Sequence, residues 1–313
     1  MQNPVESAKP LVSVVIAAYN MGIYVCEAVR SVLAQTYSSL EVIVIDDGSK
    51  DDTWERLREF EGNPQVHCVK TENQGQPKAK NEGLKRCTGQ FIAFCDADDL
   101  YEPYKIERQL PEFELDSQIG VVYTNVSFID PEGRNLDQEG AYPKKHRIDG
   151  WITEELILRN FIPFGTAMFR RECVEQLGMF DEHIPMGIDW DLWLRYSLRY
   201  KFRCLPVSTY KYRVWPGQMS KNFRGRYTNA ELIMTKFLAA NPGVVSKRLE
   251  RRAWSDTYAN KAVALALHEK AFRESFRTAL RSVVCDCLYA HAWWALAKSC
   301  QLAASTGLRR ASK

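Results

Sequence analysis

Short apolar runs closed by polar residues punctuate the first hundred positions. Leu11-Val12-Ser13-Val14-Val15-Ile16-Ala17-Ala18 and Glu41-Val42-Ile43-Val44-Ile45 are nearly continuous apolar runs of strand length, the signature of strands covered on both faces. Gln65 to Lys70 reads as a third strand and Gln90 to Cys95 as a fourth. Between them the period lengthens. Ile23, Ala28, Val29, Val32 and Leu33 make the apolar stripe of a helix over about 23–35. Asp51-Asp52-Thr53 opens a second helix through about Phe60, with acids where the helix dipole favours them, and Lys78 to Cys87 reads as a third. Strand and helix alternating at this spacing form a βαβ series and predict a parallel sheet.

The pattern loosens after Gly120. Val121-Val122-Tyr123 and Val126-Ser127-Phe128-Ile129 read as sheet, Asp130-Pro131-Glu132-Gly133 as a turn, and 134–150 as a polar loop. Helices are expected around Thr153–Asn160 and Asp191–Tyr200, and a strand over Phe202 to Val207. Past Pro216-Gly217 almost everything to Leu302 reads as helix, broken at Asn241-Pro242-Gly243. Alanine-rich stretches over 259–302 point to stacked helical hairpins. The expected division is an α/β domain over 1–220 and an α-helical module over 221–313.

Charge supports that division. The chain of 313 residues has a net charge of only +3, but residues 1–220 carry 25 Lys/Arg against 33 Asp/Glu, and residues 221–313 carry 17 against 6. Two modules with different partners follow. A composition of 45% apolar and 26% charged residues is that of a soluble globular protein. The first nine residues are polar and the apolar run after them is short, so no secretory leader is expected. Nine cysteines at irregular spacing, with no Cys-x-x-Cys, and five scattered histidines argue against a disulfide frame or a zinc site and for reduced thiols in the cytoplasm.

The fourth strand ends in Asp96-Ala97-Asp98-Asp99, three carboxylates within four residues. Clustered carboxylates repel and need a counter-ion, and hard oxygens suit Mg²⁺ or Mn²⁺ with a bound phosphate. The plain alternative is a solvated loop in which Asp98 or Asp99 caps a helix. A second acidic strand end, Asp46-Asp47, can accept a hydrogen bond from a nucleobase N–H. No Gly-x-Gly-x-x-Gly follows the first strand and no Gly-x-x-x-x-Gly-Lys-Ser/Thr occurs, which disfavours a dinucleotide fold and a P-loop kinase. In Gly187-Ile188-Asp189-Trp190-Asp191-Leu192-Trp193-Leu194-Arg195, Asp189 falls at a helix start, as a plain cap or as a general base.

Taken in order, these motifs resemble family 2 glycosyltransferases of the GT-A fold. The likeness runs over roughly 10–217, through Val14-Val15-Ile16 to Tyr19-Asn20, Ser31 to Tyr37, Glu41 to Ser49, Lys80-Asn81-Glu82-Gly83-Leu84, Gly89 to Asp99, Phe169-Arg170-Arg171 and Asp189 to Arg195. The resemblance implies a GT-A catalytic domain with a mainly parallel central sheet, followed by the basic helical module. It implies an inverting, metal-dependent, hexosyltransferase-like enzyme that moves a sugar from a nucleotide-diphosphate donor, UDP-sugar favoured, to a hydroxyl of a glycan or lipid-linked acceptor in cell-surface polysaccharide synthesis. Ala17, Tyr19 and Asp47 would line the base, Lys80 the phosphates and Asp96 the ribose. Asp98 would hold the metal, and Asp189 would deprotonate the acceptor. Three positions depart from the family: Ile188 where Glu is common, Lys80 where Arg is frequent, and Trp215 where many relatives carry His.

Trp190, Asp191 and Trp215 are candidate acceptor contacts, while Trp193 is expected in the core. The basic tail, with Trp293-Trp294 at its centre, reads either as an interfacial helix on an anionic inner membrane surface or as a bundle with both tryptophans buried. Nucleic acid is not an expected partner. Two rivals remain: a sugar-phosphate nucleotidyltransferase, which lacks its glycine-rich loop here, and a catalytically silent nucleotide-binding or scaffold subunit.

Overall fold

A computed structural model describes residues 9–136 and 147–311, with side chains described up to Ala304. The described residues divide into two compact units. One takes in everything up to Ile152, with Ile162–Glu182 and Tyr196–Pro216. The other takes in Thr153–Phe161, His183–Arg195 and everything from Gly217, so it gathers two segments that precede the boundary expected near residue 220.

The first unit is built on one mixed sheet. Its strands are β1 (Val12–Ala18), β2 (Leu40–Asp46), β3 (Val66–Lys70), β4 (Phe91–Phe94), β5 (Leu100–Tyr101), β6 (Ile119–Ile129), β7 (Asn135–Leu136), β8 (Met168–Arg170) and β9 (Lys201–Arg213). They lie in the order β3-β2-β1-β4-β8-β6-β9-β5, with β7 on β6. The four strands from β3 to β4 are parallel, as the βαβ series requires. From β8 onward the pairing is mixed. The two sheet segments expected after Gly120 are one long strand, β6. β9 runs six residues past the expected end, because Ser208 and Tyr210 to Arg213 continue the parallel pairing with Asn125–Ile129 of β6, with Thr209, Tyr210 and Arg213 buried.

Helices α1 (Val25–Leu33), α2 (Thr53–Leu57), α3 (Gln76–Leu84), α4 (Lys105–Gln109) and α6 (Arg171–Leu177) serve this sheet. On one sheet face Val14, Ile16, Val42, Val44 and Ala93 pack with Ala28, Val29 and Val32 of α1 in a single apolar core. On the other, α3 comes so close to β1 that a Cβ on Gly83 would lie 2.3 Å from Val15 Cγ1. Ile23 is not part of the α1 stripe: it precedes the helix and is 74% exposed.

The second unit is helical, with α5 (Thr153–Leu158), most of α7 (Ile188–Tyr196), α8 (Phe223–Ala240), α9 (Lys247–His268), α10 (Phe272–Cys285) and α11 (Ala290–Ala311). Small residues let α9, α10 and α11 approach closely. Ser282 Oγ donates to Ser255 O at 2.6 Å, Ser275 Oγ to Ala262 O at 2.7 Å, and Ser275 and Ser299 hydroxyls meet at 2.8 Å. The stacked hairpins expected from the alanine pattern are these helices. Among the described residues no helix is long and apolar enough to cross a membrane. All nine cysteines are unpaired thiols.

One buried group makes stability depend on pH. Lys105 is fully buried, with Nζ donating to Gln109 Oε1 and to Thr166 O at 3.0 Å, and burial pulls its pKa down to about 7. An unfolded lysine titrates near 10.4, so between these values the unfolded chain binds the extra proton and stability rises with pH. Lys105→Met is expected to flatten this rise between about pH 7 and 10. Denaturant melts of the two proteins across that range check it, and equal pH slopes would refute it.

Candidate functional site

The C-terminal ends of β2, β1 and β4 lie side by side, with Ala18 opposite Asp46 and Val15 opposite Phe94. Open α/β sheets place ligands at this edge. β1 ends in Tyr19-Asn20, where Asn20 takes a left-handed φ of 53°. Its N–H donates to Ser49 Oγ (2.9 Å) and its Oδ1 accepts from Lys50 N–H (2.8 Å), which ties the exits of β1 and β2 together. Ala17 is partly exposed and Tyr19 exposed at this edge.

The two carboxylates after β2 differ. Asp46 is buried; Oδ1 accepts from Ser49 N–H at 3.0 Å, while Oδ2 has no hydrogen-bond donor and lies 4.0 Å from Lys70 Nζ. Asp47 is buried and accepts the N–H groups of Gln74 and Gly75, both at 2.9 Å, one on each oxygen. Gly48 permits this closure: its φ is +69°, and a Cβ there would lie 2.6 Å from Asn73 N. Asp47 thus shapes the loop into α3, and any base contact shares its carboxylate with these amides.

The acidic loop after β4 is held from both sides. Lys80 on α3, 3% exposed, donates to Asp96 Oδ1 at 2.9 Å, with its ammonium 3.8 Å from the Phe164 ring centroid. Trp215 Nε1 donates to Asp98 Oδ2 at 2.7 Å. Arg213, fully buried, donates from Nε to Asp98 O at 2.7 Å and from its backbone N–H to Asp99 Oδ1 at 2.7 Å, and its guanidinium lies 4.5 Å from the Tyr24 ring centroid. Tyr210 OH accepts Asp96 N–H at 3.1 Å. No helix follows for Asp98 or Asp99 to cap; the loop turns through an Asp99 N–H to Asp96 O bond and enters β5. Asp99 is a structural residue, buried, its pKa pushed well above the ordinary value by burial and then by the charges of Asp98 and Asp96.

Burial, and next the like charge of Asp96, also raises the pKa of Asp98. A cation beside that carboxylate would relieve both penalties. Among the described residues no three His, Cys, Asp or Glu side chains gather into a metal cage. Mg²⁺ and Mn²⁺ sites that serve phosphate substrates need only one or two carboxylates, the remaining positions being phosphate and water. The donor set of Asp98 with Asp96 fits such an ion.

Asp189 belongs to the other unit. It lies inside the first turn of α7, after Gly187 at φ +77°, so it is not the helix cap. Asn160 Nδ2 donates to its Oδ2 at 2.6 Å. Trp190 is buried and spends its indole N–H on Leu156 O at 2.7 Å; Asp191 is buried and ion-paired with Arg195 at 2.8 Å. The fold commits both of these acceptor candidates to holding α7, and only Trp215 of the three keeps part of its surface open. Trp193 is fully buried, as expected. Arg213, Tyr210 and Asn160 escaped sequence reading, because each sits far along the chain from the carboxylate it serves; Arg213 closing an aromatic-rich strand was the one visible signal.

A family model described as glycosyl transferase family 2 matches residues 13–178. A chondroitin synthase of Escherichia coli is 35% identical over 189 residues, 60% of this chain and 26% of that protein. A glycosyltransferase of Rickettsia typhi is 35% identical over 193 residues, 60% of this chain and 58% of its own length. The chain therefore spans less than two thirds of either relative. Among solved structures, Staphylococcus aureus TarS 1–349 in complex with UDP-GlcNAc superimposes with a TM-score of 0.69 at 17% identity, covering 93% of this chain and 89% of that one. The mannosyltransferase PcManGT of Pyrobaculum calidifontis, in complex with GDP-Man and Mn²⁺, gives 0.63 at 19% identity, covering 96% and 88%. The fold is thus GT-A, and with more than half of its length matched by the family model, the chain belongs to glycosyl transferase family 2.

Proposed function

We propose that the protein is an inverting glycosyltransferase that moves a sugar from a nucleotide-diphosphate donor to a hydroxyl of a glycan or lipid-linked acceptor, in polysaccharide or other cell-surface glycan synthesis. The observation that carries this reading is the acidic loop at the edge of three adjacent parallel strands, with Asp96 paired to Lys80 and Asp98 fixed by Trp215. Ala17, Tyr19 and Asp47 would receive the base, Asp96 the ribose, and Lys80 the diphosphate as a point charge rather than a bidentate clamp. Asp98 would hold Mg²⁺ or Mn²⁺, whose charge offsets that of the departing diphosphate. Asp189 would take the proton of the acceptor hydroxyl as its oxygen attacks the anomeric carbon from the face opposite the diphosphate, and the bond from that carbon to the diphosphate breaks with inversion. Asn160, on the other side of the Asp189 carboxylate, orients it. We favour a uridine donor, supported by the UDP-GlcNAc of the TarS complex, over a guanosine one such as the GDP-Man of PcManGT. We place the work of this cytoplasmic enzyme peripherally, on an anionic membrane face.

A thermal-shift panel of UDP- and GDP-sugars, with and without Mn²⁺, tests the donor reading. A ligand at 100 times its Kd stabilises the fold by about 2.7 kcal/mol, so a UDP-sugar should raise Tm by several degrees, more with Mn²⁺ present. No shift with any nucleotide sugar would overturn the proposal.

A further inference from the structure

The face that α10 turns to solvent carries a row of apolar side chains. Ser275, Thr278, Ala279 and Ser282 are its buried residues, whereas Phe276, Leu280 and Val284, one per turn, are exposed, Val284 at 84%. Helices on soluble domains show the reverse order. The ridge continues into the turn to α11 with Leu288, 87% exposed, and reaches Trp293, 52% exposed, whose indole N–H is tied back to that turn through Cys287 O at 2.8 Å. The tail helices do pack as a bundle, but the burial of both tail tryptophans expected with it does not hold: Trp294 is also half exposed, stacked on His291.

A second row runs beside the first. Arg273, Arg277 and Arg281 repeat at the same spacing one position over, all exposed. The acids nearest them are already engaged, Glu269 and Glu274 by Arg224 and Asp286 by Arg252. Among the described residues none of the three arginines forms an ion pair. Exposed apolar side chains that follow one another along a surface, rather than scattered singly, are the kind of feature that docking sites show.

We infer that the outer face of α10, with Leu288 and Trp293, docks on an anionic bilayer: the ridge enters the headgroup boundary, and the arginine row, with stems along the same surface, meets lipid phosphates. Charge complementarity selects this occupant, because three uncompensated cations beside an apolar ridge and a half-exposed tryptophan fit an acidic lipid surface. The inference deepens the peripheral membrane location proposed above. Its test uses no nucleotide, so it stands or falls apart from the donor reading.

The full chain is sedimented with phosphatidylglycerol–phosphatidylcholine vesicles and with phosphatidylcholine alone. It should pellet with the anionic vesicles at low salt and be largely released at 1 M salt, where the Debye length is about 3 Å. The triple variant Arg273→Gln, Arg277→Gln, Arg281→Gln should bind on the order of 10²-fold more weakly, and Val284→Ser with Leu288→Ser at least about tenfold more weakly. Circular-dichroism melts should match wild type, since every altered side chain is exposed. Three results would overturn the inference: wild type staying in the supernatant with anionic vesicles at low salt, variants binding like wild type, or light scattering showing a dimer that the serine variant dissolves, which would give the face to a second copy.

Discussion

Asp189→Asn should lower turnover by about 10²–10⁴ while donor affinity stays at the wild-type value. The amide is nearly the same shape and can still face Asn160, so α7 keeps its packing; what it cannot do is take a proton. The residues proposed to receive the nucleotide all belong to the other compact unit, so binding of the diphosphate should not register the change. Rate of nucleotide release with a suitable acceptor, set beside calorimetry with the donor, separates the two effects. Turnover above a tenth of wild type in the purified variant would remove Asp189 as the base. A parallel fall in donor affinity would recast it as a binding residue.

Asp98→Ala should weaken donor binding on the order of 10²-fold, and chelation should do the same to the wild-type protein but little more to the variant. The reason is charge. The leaving diphosphate would enter an edge that already holds Asp96 and Asp98, where the single charge of Lys80 is shared with Asp96, so a cation is needed to offset what remains. Because Asp98→Ala also strips Trp215 of its acceptor, Trp215→Phe is the control: it keeps both carboxylates and should keep the metal dependence. Equal donor affinity with and without chelator in the wild type would refute the metal role.

The half of the sheet that was legible is the half made of local signals. β1, β2, β3 and β4 are short apolar runs separated by helices of ordinary period, and their parallel order follows from connection length alone. The mixed half was harder. β8 has three residues and β5 two, too few to show a period, and β9 outran its apolar run because its later residues are held in the sheet by pairing with β6 rather than by an apolar pattern of their own. At the site, sequence reading found carboxylates because they cluster, and missed what holds them. Asn160 lies 29 positions from Asp189, and Arg213 about 115 from Asp98, distances at which only the fold makes neighbours. The same limit explains Trp190 and Asp191: adjacent to the candidate base in sequence, they turn inward on the helix that carries it.

Tyr210, Arg213 and Trp215, at and just beyond the end of β9, supply four of the bonds that fix the Asp96–Asp99 loop. β9 reaches that point through register shifts against β6 around Asn125 and Val126, so the irregularity sets which of its residues arrive under the loop. The loop and the strand end are therefore one structural part, though more than a hundred positions separate them. Transplanting only the acidic segment from a relative into this chain would import carboxylates without their fasteners. A one-residue deletion between the shift and Tyr210 should disable the proposed donor edge while leaving each of its acidic residues in place.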